Sequence, residues 1–173
     1  MKRNPGPRRI HIIGGPGSGK SYAANKLSQR MGIPSYDLDE LFWDRAANRY
    51  GAKALETERD ARLTELVRQE AWIIEGVYYS WVEQSFDEAD IIGVLRPPVL
   101  LRDLRILKRF LRRRLGLVSA KHERLIDLYR LILWNHRYEA ANLATALESI
   151  ERYNGKILVC ASAEDLIERL RTE

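Results

Sequence analysis

Gly14-Gly15-Pro16-Gly17-Ser18-Gly19-Lys20-Ser21 reads G-x-x-x-x-G-K-[ST], between an apolar run, Ile10-His11-Ile12-Ile13, and a helical pattern starting near Lys20. Strand, glycine-rich turn and helix in this order form the setting in which such a loop wraps around phosphate. Glycine tolerates positive φ and has no Cβ, so the backbone can curl and turn its N–H groups inward. The next helix adds the positive end of its dipole. Gly14, Gly15, Pro16, Gly17, Ser18, Gly19, Lys20, Ser21 and the adjoining Tyr22 are therefore the candidate nucleotide-binding residues. Lys20 is expected to reach the β- and γ-phosphates, and the Ser21 hydroxyl to ligate Mg²⁺.

Working outward from the loop, apolar runs alternate with helical patterns. Strands are expected at Arg9–Ile13, Ile33–Asp37, Trp72–Ile74, Ile91–Leu95 and Lys156–Cys160. Helices are expected at Lys20–Met31, Ala54–Glu70 and Ala163–Arg171, with Leu55, Leu63, Leu66 and Val67 as core positions of the second. Short, wholly apolar strands separated by helices favour a parallel sheet covered on both faces, an α/β fold. Between the last two strands lie two further helical stretches. In the first, Leu100, Leu104, Leu107 and Leu111 form one face at helical spacing. Arg102, Arg105, Arg109, Arg112 and Arg113 crowd the other. Gly116 breaks the pattern, and a second helix is expected over residues 123–150. This helix–turn–helix excursion, about residues 102–124, is where a mobile lid would sit. Lids over a transferring phosphoryl group use arginine, because charge spreads over its oxygens. Arg109 is the catalytic candidate of this face, and Arg105 and Arg113 are candidate nucleotide contacts.

The bulk numbers fit this reading. A chain of 173 residues, 45% hydrophobic and 31% charged, has the size and composition of one soluble domain. No apolar run approaches the roughly 20 residues of a membrane span. A lone cysteine, Cys160, in an apolar strand pattern points to a buried thiol and a cytoplasmic setting. The net charge of +5 is concentrated in a basic tail over residues 1–8 and in the arginine-rich helix, leaving the rest of the chain net negative. That distribution is unlike a uniformly basic nucleic-acid surface. His11 falls inside a strand and reads as a core residue. His122 and His136 have no second ligand at zinc spacing.

Three further segments carry a family resemblance. Pro34-Ser35-Tyr36-Asp37-Leu38-Asp39-Glu40-Leu41-Phe42-Trp43 resembles the P-x-x-x-L-D-x-L-F-W stretch of the bacterial DNA topology modulation proteins. Trp72-Ile73-Ile74-Glu75-Gly76-Val77-Tyr78 resembles that group's W-I-x-D/E-G-x-Y, and Ala89-Asp90-Ile91-Ile92 with Arg96-Pro97 resembles its A-D-x-I-x-x-D-x-P. With the loop and the basic helix pair, the chain resembles a small P-loop kinase of the adenylate-kinase-like superfamily. The resemblance implies strand order 2-3-1-4-5, ATP with Mg²⁺, and transfer of the γ-phosphate to a small acceptor, nucleosides and nucleotides being the candidates it offers. The chain departs from the pattern at Arg96, where the group has an acid that could support a magnesium shell.

A kinase needs a group that orients the acceptor hydroxyl or accepts its proton. Asp39 is the first candidate: it comes after the second strand, at the sheet edge where ligands bind, and matches where shikimate-kinase-like enzymes place an acceptor-binding aspartate. Asp37 is the alternative, and helix capping is the competing role for both. Glu75 is a candidate for the magnesium water shell, and Gly76 for close acceptor approach. Phe42, Trp43, Tyr78 and Tyr79 are candidate pocket walls. Adenine contacts are expected near Ala161-Ser162-Ala163. Two other functions stay open on sequence: a nucleotide-dependent regulator that binds DNA or protein, and a plain NTPase using Glu75.

Overall fold

In the computed structural model, which describes residues 6–44, 52–115, 125–138 and 143–171, five short apolar runs become one sheet. Strands β1 (Arg9–Gly14), β2 (Ser35–Asp37), β3 (Trp72–Gly76), β4 (Ile91–Leu95) and β5 (Ile157–Cys160) lie in the order β2-β3-β1-β4-β5, all parallel. This is the expected α/β sheet and order. β3 runs two residues further than its apolar core, so Glu75 and Gly76 belong to the strand. The register pairs Glu75 with Ile12 on one side and with Asp37 on the other. The carboxyl ends of β1, β2 and β3 therefore bring the phosphate loop, Asp37 and Glu75 to one edge.

Each face of the sheet has its own core, because successive strand side chains point to opposite sides. Ile10 and Ile12 pack with Ala23, Ala24 and Leu27 of α1 (Lys20–Met31) and with Leu166 and Ile167 of α8 (Ala163–Arg169). Ser162 caps α8, its side chain accepting from Asp165 N at 3.0 Å. The other face holds Ile13, Ile74, Ile92 and Val94 against Leu63, Leu66 and Val67 of α3 (Glu56–Val67) and Phe86 of α4 (Glu83–Glu88). Leu55, expected in that core, precedes α3 and is 66% exposed.

The region between β4 and β5 departs most from expectation. α5 (Val99–Arg114) buries Arg102, Ile106 and Phe110, while Leu100, Leu104, Leu107 and Leu111 face outward. Leu100 and Leu104 are 70% and 63% exposed. The leucine stripe exists, but it is the outer face. The arginine side borders the sheet edge and the phosphate loop. The second helical stretch divides into α6 (Leu125–Arg137) and α7 (Leu143–Ile150), then a 3₁₀ segment, Glu151–Lys156. Asp103 joins α5 to α6, accepting from Asn135 Nδ2 at 2.7 Å and meeting His136 Nε2 at 2.8 Å. The part of the expected lid over residues 116–124, including Gly116 and His122, lies outside the described residues.

His11 shows what a polar residue costs in this core. It is fully buried, and its ring lies 4.6 Å from that of Phe86. Ser85 Oγ donates to Val82 O at 2.6 Å, so it must accept from His11 Nδ1, 2.8 Å away. The proton thus sits on Nδ1, and the buried Nε2 has no hydrogen-bond partner. Burial pushes the imidazole pKa down to about 3. The unfolded chain takes up this proton near pH 6.5, the folded chain only near 3, so stability falls as pH drops between those values. Urea unfolding should show a loss of about 2 kcal/mol between about pH 7 and about pH 5 from this group. His11→Leu should remove that part of the pH dependence.

Candidate active site

The phosphate loop connects β1 to α1, and its shape depends on glycine. Gly17 and Gly19 have φ of 69° and 100°, and among the described residues no non-glycine adopts positive φ. Gly15 and Gly17 also rest against α5. A Cβ on Gly15 would stand 2.2 Å from Arg102 Nη1, and one on Gly17 would stand 2.6 Å from the Arg102 carbonyl oxygen. Arg102 is 1% exposed. Ser18 is fully buried and its Oγ has no hydrogen-bond partner. The loop therefore meets α5 through its backbone, with glycine at each close approach.

A cavity of about 960 Å³ opens from this loop. Most of the residues expected at the site border it. From the loop and α1 come Pro16, Gly17, Gly19, Lys20, Ser21 and Tyr22. From the ends of β2 and β3 and the short helix α2 (Asp39–Phe42) come Asp37, Asp39, Phe42, Trp43, Glu75, Gly76 and Tyr78. α5 supplies Arg105, Arg109 and Arg113. Gly14, Gly15 and Ser18 do not border it; they form the loop's underside. Tyr79, expected as a wall, packs against the core instead. Arg96 is exposed and does not line the cavity. Lys53, Leu131 and Trp134 also line it, without having been expected there. Lys53 arrives through a bridge to Trp43, and Leu131 and Trp134 through the docking of α6 on α5. Neither placement has a local sequence signal.

The charged groups form one linked set. Lys20 Nζ donates to Gly15 O at 3.2 Å, and Ser21 Oγ donates to Glu75 Oε1 at 2.5 Å. Burial lowers the Lys20 pKa, while the carboxylates of Glu75, Asp39 and Asp37 act to raise it. Burial raises Glu75 above the usual carboxylate range, against the pull of Lys20 and the Ser21 bond. Asp37 is also raised, chiefly by burial. Asp37 Oδ1 accepts from Asp39 N at 2.9 Å, fixing the start of α2, so its turn-forming role is real. Asp39 Oδ1 accepts from Tyr78 Oη at 2.6 Å. Burial, then this bond, raises the Tyr78 pKa and keeps the phenol protonated.

The aromatic wall is less open than its composition suggests. Phe42 stacks on Tyr78 with centroids 4.7 Å apart, and Lys53 Nζ lies 5.3 Å from the Phe42 ring centroid. Trp43, which is exposed, offers a freer surface. Gly76 borders the cavity with its backbone, but a Cβ there would meet Leu38 at 2.7 Å, so packing also demands glycine.

Among the described residues, no group of three or more His, Cys, Asp or Glu is placed to hold a metal ion by itself. One serine hydroxyl beside one carboxylate instead fits magnesium held partly by phosphate oxygens and water. Among the described residues, no helix is long and apolar enough to cross a membrane.

A parallel sheet in the order β2-β3-β1-β4-β5, helices on both faces and a phosphate loop after β1 make a fold that solved small-molecule kinases share. Among solved structures, the chain is similar to a shikimate kinase from Acinetobacter baumannii in complex with shikimate. The two are 17% identical, with 95% of this chain and 91% of that chain covered and a TM-score of 0.55. It is likewise similar to a shikimate kinase from Bacteroides thetaiotaomicron, at 17% identity, 96% and 97% coverage and a TM-score of 0.53. No family model matches the sequence, and no curated protein sequence matches it.

Gly17 and Gly32 separate the two demands on glycine. Both have positive φ, but only Gly17 has a backbone atom in the way. Gly32→Ala should cost about 1–2 kcal/mol, the conformational term alone. Gly17→Ala should cost clearly more, measured as the urea midpoint shift of each variant.

Proposed function

We propose that this chain is an ATP-dependent kinase that transfers the γ-phosphoryl group to the hydroxyl of a small molecule. One observation carries the reading: the phosphate loop with Lys20, the Ser21–Glu75 pair, Asp39 and the arginine side of α5 all border one cavity. Lys20 leaves the Gly15 carbonyl to hold the β- and γ-phosphates. Ser21 and Glu75 would hold Mg²⁺, Ser21 directly and Glu75 through the ion's water shell. When bound, that ion neutralises charge on the phosphate oxygens. The acid expected after β4 is not needed for this, since Glu75 stands beside Ser21.

Asp39 orients the acceptor hydroxyl and accepts its proton as the new O–P bond forms and the bridging β–γ bond breaks. Arg109 meets the charge spread over the transferring oxygens, and Arg113 lies one turn further along the cavity. Asp37 and Gly76 shape the acceptor end with Phe42, Trp43 and Tyr78. The base of ATP lies toward Tyr22 and the Ala161-Ser162-Ala163 turn.

The acceptor classes supported are nucleosides or nucleotides, from the resemblance to the DNA topology modulation proteins, and small hydroxy acids, from the shikimate kinase neighbours. We assign the chain to that bacterial group on its three sequence segments. We further propose that residues 1–173 work as one domain in the cytoplasm.

Calorimetry with ATP–Mg²⁺, then phosphate-transfer assays against nucleosides, nucleotides and hydroxy acids including shikimate, tests the reading. Lys20→Ala should abolish measurable ATP binding. Asp39→Asn should lower acceptor-dependent turnover about 10²–10⁴-fold with ATP affinity retained. ATP hydrolysis indifferent to every acceptor would make the protein an NTPase, and wild-type protein that binds no ATP would end both readings.

A further inference from the structure

A loop built on glycine has a weakness as an anion site. Glycine populates positive and negative φ almost equally, so peptide units beside Gly17 and Gly19 can flip at little cost. A flipped unit would turn a carbonyl oxygen, not an N–H, toward the phosphate. The loop itself holds one of these units, through the Ser18 N–H bond to Gly15 O, and leaves it to a partner outside to hold the Gly17 and Ser18 carbonyls.

We infer that Arg105 does this: it is a positioning residue whose guanidinium braces the phosphate loop from outside. Arg105 Nη1 donates to Gly17 O and to Ser18 O, each at 3.2 Å. In a trans peptide the C=O and the N–H point in opposite directions. Holding the Gly17 carbonyl toward Arg105 therefore turns the Ser18 N–H away from it, and that N–H bonds to Gly15 O at 3.2 Å within the loop. Holding the Ser18 carbonyl turns the Gly19 N–H away in the same manner. Outward carbonyls are the necessary counterpart of inward amides, and a cation gathers two of them through charge-assisted bonds. Arg105 can do so because Arg102, three residues earlier, seats α5 against Gly15 and Gly17. The brace is thus part of a fixed contact between helix and loop. This role differs from a direct phosphate contact, since it exists before any nucleotide arrives.

Only the consequence for nucleotide affinity rests on the function proposed above; the brace itself does not. The test compares full-length wild type, Arg105→Ala and Arg105→Lys. Amide hydrogen exchange without nucleotide is measured over residues 15–23, which contain the Ser18 N–H and the Ala23 N–H bonded to Gly19 O. ADP–Mg²⁺ affinity is measured by calorimetry. Arg105→Ala should speed exchange in this segment about tenfold or more, leave β3 and α8 unchanged, and weaken ADP about tenfold. Arg105→Lys should recover part of both, since its ammonium keeps the charge and the donors but ends one bond short of the position of Nη1. Unchanged loop exchange in Arg105→Ala would overturn the brace: with weakened ADP it would make Arg105 a direct ligand, with unchanged ADP a spectator. If Arg105→Ala does not fold, the exchange of Arg105→Lys decides, a wild-type rate overturning the brace. Wild-type protein that binds no ADP would refute the nucleotide reading, while the exchange result would still judge the brace.

Discussion

The contact between the start of α5 and the phosphate loop sets the rest of the site. It depends on two missing methyl groups. Without a Cβ, Gly15 and Gly17 let the buried Arg102 lie directly beneath the loop. Its guanidinium approaches Gly15 and its own backbone approaches Gly17, so both halves of the contact rest on an absent Cβ. Once α5 is seated there, its helical repeat places the remaining side chains. Arg105, Arg109 and Arg113, four residues apart, line the cavity together. Ile106 and Phe110 turn to the core, and Leu100, Leu104, Leu107 and Leu111 lie on the exposed side.

Charge is balanced within the cavity rather than across it. Lys20 stands among Glu75, Asp39 and Asp37, and burial acts against the ionised form of lysine and of the glutamate and Asp37 carboxylates. In a low-dielectric setting each such group depends on its neighbours. The pairs seen here, Ser21 with Glu75 and Lys20 with Gly15 O, satisfy these groups internally. The same atoms have the chemistry to exchange those partners for phosphate and magnesium. The Asp39–Tyr78 bond is different in kind, because it joins two groups that both border the cavity and uses only one carboxylate oxygen, Oδ1.

The sequence was most readable where function and fold coincide. A loop that must curl around an anion needs glycine at fixed places, and strands covered on both faces must be continuously apolar. Hence the loop and the five strands were legible from residue types alone, and their order from the family resemblance. Legibility failed on α5. Helical periodicity reveals that two faces differ, but not which one turns inward. The leucine face turns outward, and the opposite face lines the cavity and meets the phosphate loop at Arg102 and Arg105. Leu55 failed for a simpler reason: it precedes the helix and never joins its stripe. Asp39, Glu75 and Asp37 border the cavity where the sequence reading places them, because the carboxyl ends of parallel strands share one edge. The Tyr78 hydroxyl on Asp39, and Lys53 and Trp134 at the cavity wall, were not legible. They come from segments distant in sequence that meet only after packing.

Ala163, the first residue of α8, closes the opposite side of the loop: a Cβ on Gly19 would come within 3.2 Å of the Ala163 methyl. The loop is near the start of the chain and Ala163 near its far end, with β5 between α7 and that contact. The glycine turn precedes in sequence the wall that encloses it, and that wall is made only once β5 has joined the edge of the sheet. Such long-range closure slows folding, and it ties the integrity of the phosphate loop to helix α8.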